Sequence, residues 1–406
     1  MLRNTLKIWL KIIASKVLNK YKPRIIAITG STGKTSTKDA ISTVMSGKDI
    51  AGTKGNMNTE FGVSATIIDP AFTPSFEDGK AKLSIKDVWD LTMSGFRKVV
   101  SNVDYPRILV LELAADRPDD IKFFMGFIKP EVAILTNIGD VHLEFFGSKS
   151  RLVEEKGCII ASVKRKGLAI LNKDDDFSKL VSRRTKSRKV FISANEEADV
   201  WAGNIGFGGK GIHFNINSGS EISHIDLPVF GYQFVYAALF AWAVGRYFGV
   251  SPELISKRLE QYKVPTGRFE IMRLGKTILI DDTYNANPAS VTMALKSLGR
   301  LGVNRQKVAV LGDMRELGSA HQKGHRLVGT EAAKVLDQLW VIGKGGSLIR
   351  QAAIDSGMPK GKVRFFSEDE IPKILQDNYI VLIKGSRAVH LDATVKQIKE
   401  HYERYG

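Results

Sequence analysis

The run Thr29-Gly30-Ser31-Thr32-Gly33-Lys34-Thr35 stands between an apolar, β-branched stretch and a helical pattern. In that context a glycine-rich turn lets backbone N–H groups converge on phosphate oxygens. Gly30, Ser31, Thr32 and Gly33 are read as the cradle, Lys34 as its point charge and Thr35 as a hydroxyl ligand for Mg²⁺. The usual eight-residue pattern starts with a glycine; Ile28 occupies that position here. A carboxylate partner for the cation is expected on a neighbouring strand. Arg107–Glu112 supplies one, an apolar run closed by Glu112. Ligands of open α/β sheets sit at the carboxyl ends of strands, which places Glu112 beside the Mg²⁺ near Thr35. Without the phosphate loop, a Glu after an apolar run reads as a cap or a surface residue.

Such groups need a rigid scaffold. Ile25–Thr29, Ile108–Leu111, Val132–Leu135, Leu168–Leu171 and Val190–Ser193 read as buried strands alternating with helical segments, the pattern of a parallel sheet with crossover helices. Residues 193–225 alternate with period two, as antiparallel hairpins at a sheet edge do, and Tyr232–Phe248 reads as an apolar helix. A second series, Thr277–Ile280, Val308–Leu311, Leu339–Ile342 and Tyr379–Ile383, predicts another doubly wound unit. The fold class is therefore α/β: a central phosphate-loop ATPase domain with a parallel sheet over 24–263, and a C-terminal Rossmann-like α/β domain over 264–406. The turn Val264-Pro265-Thr266-Gly267 marks the boundary.

The 406 residues are 43% hydrophobic and 25% charged, which excludes disordered and fibrous classes. One cysteine, Cys158, permits neither an internal disulfide nor a cysteine-based zinc site, which points to a reduced compartment, the cytoplasm. The net charge is +17, and nine Lys or Arg, seven of them within residues 1–24, precede the first acidic residue, Asp39. Within residues 1–23, Leu2, Leu6, Trp9, Leu10, Ile13, Val17 and Tyr21 recur at helical spacing, giving a basic amphipathic helix. Residues 1–22 either lie on the inner face of an anionic membrane or dock on the protein's own surface. No nucleic-acid partner is expected, since no reader motif accompanies the charge.

Several motifs in order carry a family resemblance. Thr29–Thr35, Leu111-Glu112-Leu113, Thr136–Glu144 and Lys156-Gly157 resemble the central ATPase domain of the Mur ligases. Gly267-Arg268, Asp281–Pro288, Leu311–Gly318 with His325, and Lys384-Gly385-Ser386-Arg387 resemble the C-terminal domain of the branch that adds D-alanyl-D-alanine to a peptidoglycan precursor. The likeness implies ATP-dependent amide synthesis through an acyl phosphate, in a site that must position groups and neutralise charge. It implies catalytic roles for Lys34, Lys156 and His142, metal ligation by Thr35, Glu112 and His142 at two Mg²⁺ sites, and carbamylation of Lys156. Arg268 is expected on phosphate and Asp282 near the ribose. Asn58, Tyr284, Asn285, Asn287, Lys384, Ser386 and Arg387 are expected to face the precursor and the D-Ala-D-Ala dipeptide, the last three near its carboxylate. Read bare, Lys156 is a helix-surface lysine, His142 a loop histidine, Tyr284, Asn285 and Asn287 turn residues, and Lys384, Ser386 and Arg387 a basic surface loop.

Two departures accompany the resemblance. Only 23 residues precede Arg24, so the family's N-terminal platform for a UDP-sugar is not expected. The family's G-x-H-N-x-x-N pattern reads Gly231-Tyr232-Gln233-Phe234-Val235-Tyr236-Ala237, leaving adenine to Phe234 or Tyr236 by stacking. These departures motivate two alternatives: a Mur-type ligase for another acceptor carboxylate, and a nucleotide-binding scaffold without catalysis.

Overall fold

The computed structural model describes residues 2–77, 80–301, 304–367, 371, 374 and 378–405. Its larger sheet has nine strands in the order β11-β10-β9-β8-β7-β6-β1-β5-β2. These strands are β1 (Arg24–Thr29), β2 (Ile50–Gly52), β5 (Ile108–Glu112), β6 (Val132–Leu135), β7 (Leu168–Asn172), β8 (Arg188–Ser193), β9 (Val200–Gly208), β10 (Gly211–Ser218) and β11 (Glu221–Leu227). A separate hairpin, β3 (Ser75–Glu77) with β4 (Lys80–Lys82), lies between β2 and β5 in the chain. From β1 the chain goes out to β2, returns as β5 on one side of β1, then crosses to β6 on the other. That reversal makes the carboxyl end of β1 a topological switch point, where open α/β sheets hold their ligands.

Because side chains alternate across a strand, β1 builds two cores at once. Ile26 and Ile28 pack with α2 (Lys34–Val44) and α9 (Gln233–Tyr247) on one face. Ile25 and Ala27 pack on the other face, in a core that also contains residues of α1 (Leu2–Tyr21), α3 (Glu60–Ile68), α5 (Asp120–Met125) and α7 (Lys149–Ala161). The short helix α6 (Leu143–Phe146) precedes α7, and α8 (Ser178–Ser182) follows β7. In α1, Leu10, Ala14 and Val17 have no exposed surface and pack against α3 and α4 (Ile85–Val100). The docking alternative is the one the structure displays: most of the apolar face offered to a membrane is already buried inside the molecule. Trp9 departs from that face; it is half-exposed and donates its indole N–H to Thr92 Oγ1 at 3.1 Å.

After α10 (Pro252–Leu259), capped by Ser251 with proline in its first turn, the second sheet runs β12-β13-β17-β14-β15-β16. Its strands are β12 (Glu270–Leu274), β13 (Thr277–Asp281), β14 (Gln306–Leu311), β15 (Gln338–Val341), β16 (Val363–Phe365) and β17 (Tyr379–Lys384). Only β12 is antiparallel to its neighbour. One face packs with α11 (Pro288–Arg300), α12 (His321–Ala333) and α13 (Lys344–Asp355); the other packs under the last helix, Leu391–Tyr405. The expected strands are all present. Sequence reading passed over β2, β12, β16 and the β3–β4 hairpin because they are sheet-edge or separate strands without the unbroken apolar run that marked the central ones.

Candidate functional site

The carboxyl ends of β1, β5, β6, β13 and β17 open into one cleft of roughly 1570 Å³, lined from both sheets' domains. Its floor is the loop between β1 and α2. Gly30 has φ +151° and touches Thr136 so closely that a Cβ would collide with its hydroxyl; Gly33, at φ +77°, starts α2 in the left-handed region. Both glycines are thus required by the path of the backbone. Ile28 replaces the pattern's first glycine without harm, since it is a fully buried β1 residue with ordinary strand geometry. Asn137 fastens the loop: its Oδ1 accepts from Ser31 N at 3.1 Å and Thr32 N at 2.8 Å, and its Nδ2 donates to Thr32 Oγ1 at 2.6 Å.

Two lysines converge on the Gly30 carbonyl, Lys34 Nζ at 2.8 Å and Lys156 Nζ at 3.2 Å. Burial lowers the proton affinity of both, opposed in Lys34 by the Glu112 and Asp116 carboxylates. Lys156 is 1% exposed, and burial together with the adjacent Lys34 charge brings its amine down to about 7. The bare sequence reading of Lys156 as a surface lysine is therefore excluded.

Glu112 ends β5 as expected. Thr35 Oγ1 donates to its Oε1 at 3.3 Å and Asn58 Nδ2 at 2.9 Å, while the buried Oε2 has no hydrogen-bond partner. A carboxylate oxygen left unpartnered inside a polar cleft costs free energy unless a cation or donor meets it. Thr35 and Glu112 thus suit a hard, oxygen-seeking ion. Among the described residues no three His, Cys, Asp or Glu side chains form a metal-holding group. Mg²⁺ accepts such a poor protein shell, because it keeps waters and takes phosphate oxygens as ligands.

His142 is placed differently from the expectation. It starts α6 at φ +56°, with Nδ1 2.6 Å from Glu316 Oε2 and Nε2 3.3 Å from Asp116 Oδ1. Both ring nitrogens face carboxylates, so metal ligation would require one contact to be given up. Glu316 comes from the C-terminal domain, so His142 also ties the two walls of the cleft together. Arg268 does the same: its guanidinium donates to Thr35 Oγ1 at 3.3 Å and lies 3.8 Å from the centre of the Tyr284 ring. Tyr284 in turn donates its hydroxyl to Asn56 across the cleft.

Asp282 and Lys384, assigned to ribose and dipeptide respectively, are instead partners. They form a buried ion pair at 2.8 Å, and Lys384 Nζ also donates to the Asn285 carbonyl at 2.9 Å. Burial pushes the Asp282 carboxyl up and the Lys384 amine down, each opposed by the other's charge. Both still line the cleft, together with Ser386 and Arg387 just beyond β17. Asn287 caps α11 in a reciprocal capping box with Ser290, and Asn285 Oδ1 accepts from Ala286 N, so part of each asparagine's hydrogen bonding is structural.

The far end of the cleft is lined by Asn172, Asp174, Asn195, Gln233, Tyr236 and Met293. Tyr236 donates to Asp174 Oδ2 at 2.9 Å and accepts from Asn195 Nδ2 at 3.3 Å. Phe234 points the other way, fully buried against Tyr262 with ring centres 5.8 Å apart, and Ala237 is buried too. Stacking by Phe234 is thus excluded, whereas Tyr236 is in place. Sequence reading missed Asp116, Glu316, Asn56, Asn137 and Asp174 as site residues. Asn137 and Glu316 lay inside recognised motifs without a role, and Asn56 stands two residues before Asn58. Asp116 follows β5 outside any motif, and Asp174 opens a run of three aspartates after β7 that reads as an ordinary polar turn.

The sequence profile of the Mur ligase middle domain matches residues 28–245, and that of the Mur ligase glutamate ligase domain matches 267–387. The UDP-N-acetylmuramoyl-tripeptide--D-alanyl-D-alanine ligase of Escherichia coli K12 is 29% identical over 396 residues, covering 96% of this chain and 80% of that protein. Its namesake from Buchnera aphidicola (subsp. Baizongia pistaciae) is 29% identical over 403 residues, covering 97% of this chain and 79% of that one. The solved structure of MurF ligase from Thermotoga maritima in complex with ADP superposes with a TM-score of 0.81 at 26% identity, covering 98% of this chain and 85% of that one. With a phosphate loop, an acidic strand end and a buried lysine assembled between two α/β domains, and with the middle-domain profile spanning more than half its length, this chain belongs to the Mur ligase family.

Proposed function

We propose that the protein is an ATP-dependent peptide ligase that joins D-alanyl-D-alanine to the terminal carboxylate of a peptidoglycan-precursor peptide, as its MurF relatives do. The observation that carries the reading is the cleft itself. One wall holds a phosphate loop and the unpartnered Glu112 oxygen, while the other reaches across through Arg268 to the same hydroxyl, Thr35.

In the first step the acceptor carboxylate attacks the γ-phosphorus of ATP, releasing ADP and leaving an acyl phosphate. In the second, the neutral amine of the dipeptide attacks the acyl carbon, phosphate departs, and the amine proton is lost to solvent or a base. The residues of the chain chiefly position and neutralise. Gly30–Thr35 cradle the β- and γ-phosphates, and Lys34 swings from the Gly30 carbonyl to a phosphate oxygen. Arg268 brings a second positive charge from the C-terminal domain. Thr35 and Glu112 would hold Mg²⁺, and its charge would offset that of the phosphates. A further site would draw on Asp116 and on His142 once released from Glu316. Lys156 is poised for carbamylation, since only a neutral amine adds to carbon dioxide and burial favours that form near pH 7. Asn58 and Tyr284 face the acceptor, while Arg387 and Ser386 suit the dipeptide carboxylate better than Lys384, which Asp282 already neutralises.

The test is phosphate release by purified protein given ATP, Mg²⁺, a UDP-linked muramoyl tripeptide and D-Ala-D-Ala, with the product identified by mass. Turnover that needs both co-substrates supports the reading; turnover indifferent to the dipeptide contradicts it.

A further inference from the structure

Helix α4 is amphipathic, yet its more apolar stripe points away from the protein. Leu91 and Gly95 are buried against the domain, Gly95 beneath Ile13 of α1. The opposite stripe carries Ile85, Trp89, Met93, Phe96 and Val100, at spacings of four, four, three and four, with exposures of 92, 65, 48, 61 and 60%. Alongside it Trp9, and on the outward face of α1 Ile8 and Ile12, are each about half-exposed. Monomeric soluble proteins rarely leave so many large apolar side chains contiguous, and a patch of this kind marks an interaction surface.

The charge around the stripe selects the occupant. Helix α1 holds no acidic residue, and Lys16 on its outward side is exposed. Lys7 and Lys11 follow along its edge, their ammonium groups 4.2 and 5.0 Å from the Phe123 ring centre. On α4, Lys86 and Arg97 are exposed at opposite ends; of its acids, Asp87 is engaged in the capping box with Ser84 and Asp90 is open to solvent. Tryptophans at an apolar face edged by lysine and arginine are the composition that settles at the boundary between headgroups and acyl chains. No helix among the described residues is long and apolar enough to cross a membrane, so such a surface lies on the bilayer.

We infer that the exposed face of α4, extended by the outward face of α1, docks the protein on an anionic lipid surface. The surface differs from the one that periodicity alone assigned to α1, most of whose apolar side is interior. Arg3, in the first turn of α1, lines the catalytic cleft, so docking sets the cleft mouth within about 10 Å, by helix rise, of the headgroups that meet Trp9. The inference does not depend on which acceptor the ligase takes.

The experiment is co-sedimentation of the full chain with vesicles of phosphatidylcholine containing one-third phosphatidylglycerol, against vesicles of phosphatidylcholine alone. Binding is expected on the anionic vesicles and is expected to fall as salt rises. The triple variant Trp89→Ser, Met93→Ser, Phe96→Ser should lower the partition coefficient at least about tenfold. The triple variant Lys16→Gln, Lys86→Gln, Arg97→Gln should lower it by on the order of 100-fold. All six positions are exposed, so both variants should retain phosphate release with soluble substrates, which verifies their fold. Absence of vesicle binding, or unchanged binding by the apolar variant, overturns the inference. So does a dimer in light scattering that the apolar variant dissociates while vesicles are ignored, an outcome that would make the face a contact between copies.

Discussion

The two ends of the cleft are built by different means. At the phosphate end the contacts come largely from main chain, in six consecutive residues whose path demands glycine at 30 and 33. At the far end they come from side chains brought by three separate elements: Asp174 after β7, Asn195 after β8, and Gln233 with Tyr236 on α9. A backbone site constrains residue type locally and so leaves a readable motif. A side-chain site can be rebuilt from other residues while its position in space is kept, and then the motif disappears although the pocket remains.

The comparison predicts unequal costs of mutation. Lys34→Ala removes the positive charge carried by the phosphate loop itself and should reduce phosphate release by roughly 100-fold to 1,000-fold, with folding unchanged by circular dichroism. Near-normal turnover would show that Arg268 alone suffices.

Lys156→Met should also abolish most turnover, and it adds a signature in pH. The native Lys156 amine is held near 7, well below its ordinary value, so the rate should fall about tenfold per unit as pH drops below 7. The unfolded chain, with an ordinary lysine, binds the proton more tightly. Folded stability therefore rises with pH from about 7 up to the ordinary lysine range, by at most about 1.4 kcal/mol per unit. Urea unfolding of Lys156→Met should lack that slope. A mutant as pH-dependent as the parent would remove Lys156 from both roles.

Glu316→Gln leaves both ends of the cleft intact and weakens the bond to His142 that joins its two walls. A KM for ATP raised several-fold with a smaller change in kcat is expected if the contact helps hold the cleft closed. A drop confined to kcat would instead assign His142 and Glu316 to the chemistry. Tyr236→Phe should be mildest, removing the hydroxyl's contacts to Asp174 and Asn195 while keeping the ring. A change below about tenfold in the ATP-over-GTP preference, with kcat retained, is expected from loss of the bond to the Asp174 carboxylate and the longer one from Asn195. A collapse of kcat there would mean that the far end is as intolerant as the phosphate end.

The same contrast explains what could be read in advance. Strands such as Ile25–Thr29 and Tyr379–Ile383 declared themselves because a strand buried on both faces is apolar at every position. Glu112 was legible because an acid closing such a run stands at a sheet's ligand-binding end. The pairing of Asp282 with Lys384, the inward turn of Phe234 and the engagement of His142 by Glu316 were not legible. Each joins or buries residues through the way helices and sheets stack, and spacing along the chain carries no record of that.

Sequence by itself therefore determined the α/β class, the nucleotide loop, the acidic strand end and the order of motifs, since each is a matter of local backbone preference or of periodic burial. Tertiary structure alone decided which lysine is buried enough to be neutral near pH 7, which carboxylate oxygen is left without a partner, and which side of α1 and α4 meets solvent. Those properties depend on dielectric surroundings and on neighbours dozens to hundreds of residues away, and only the folded packing brings them into being.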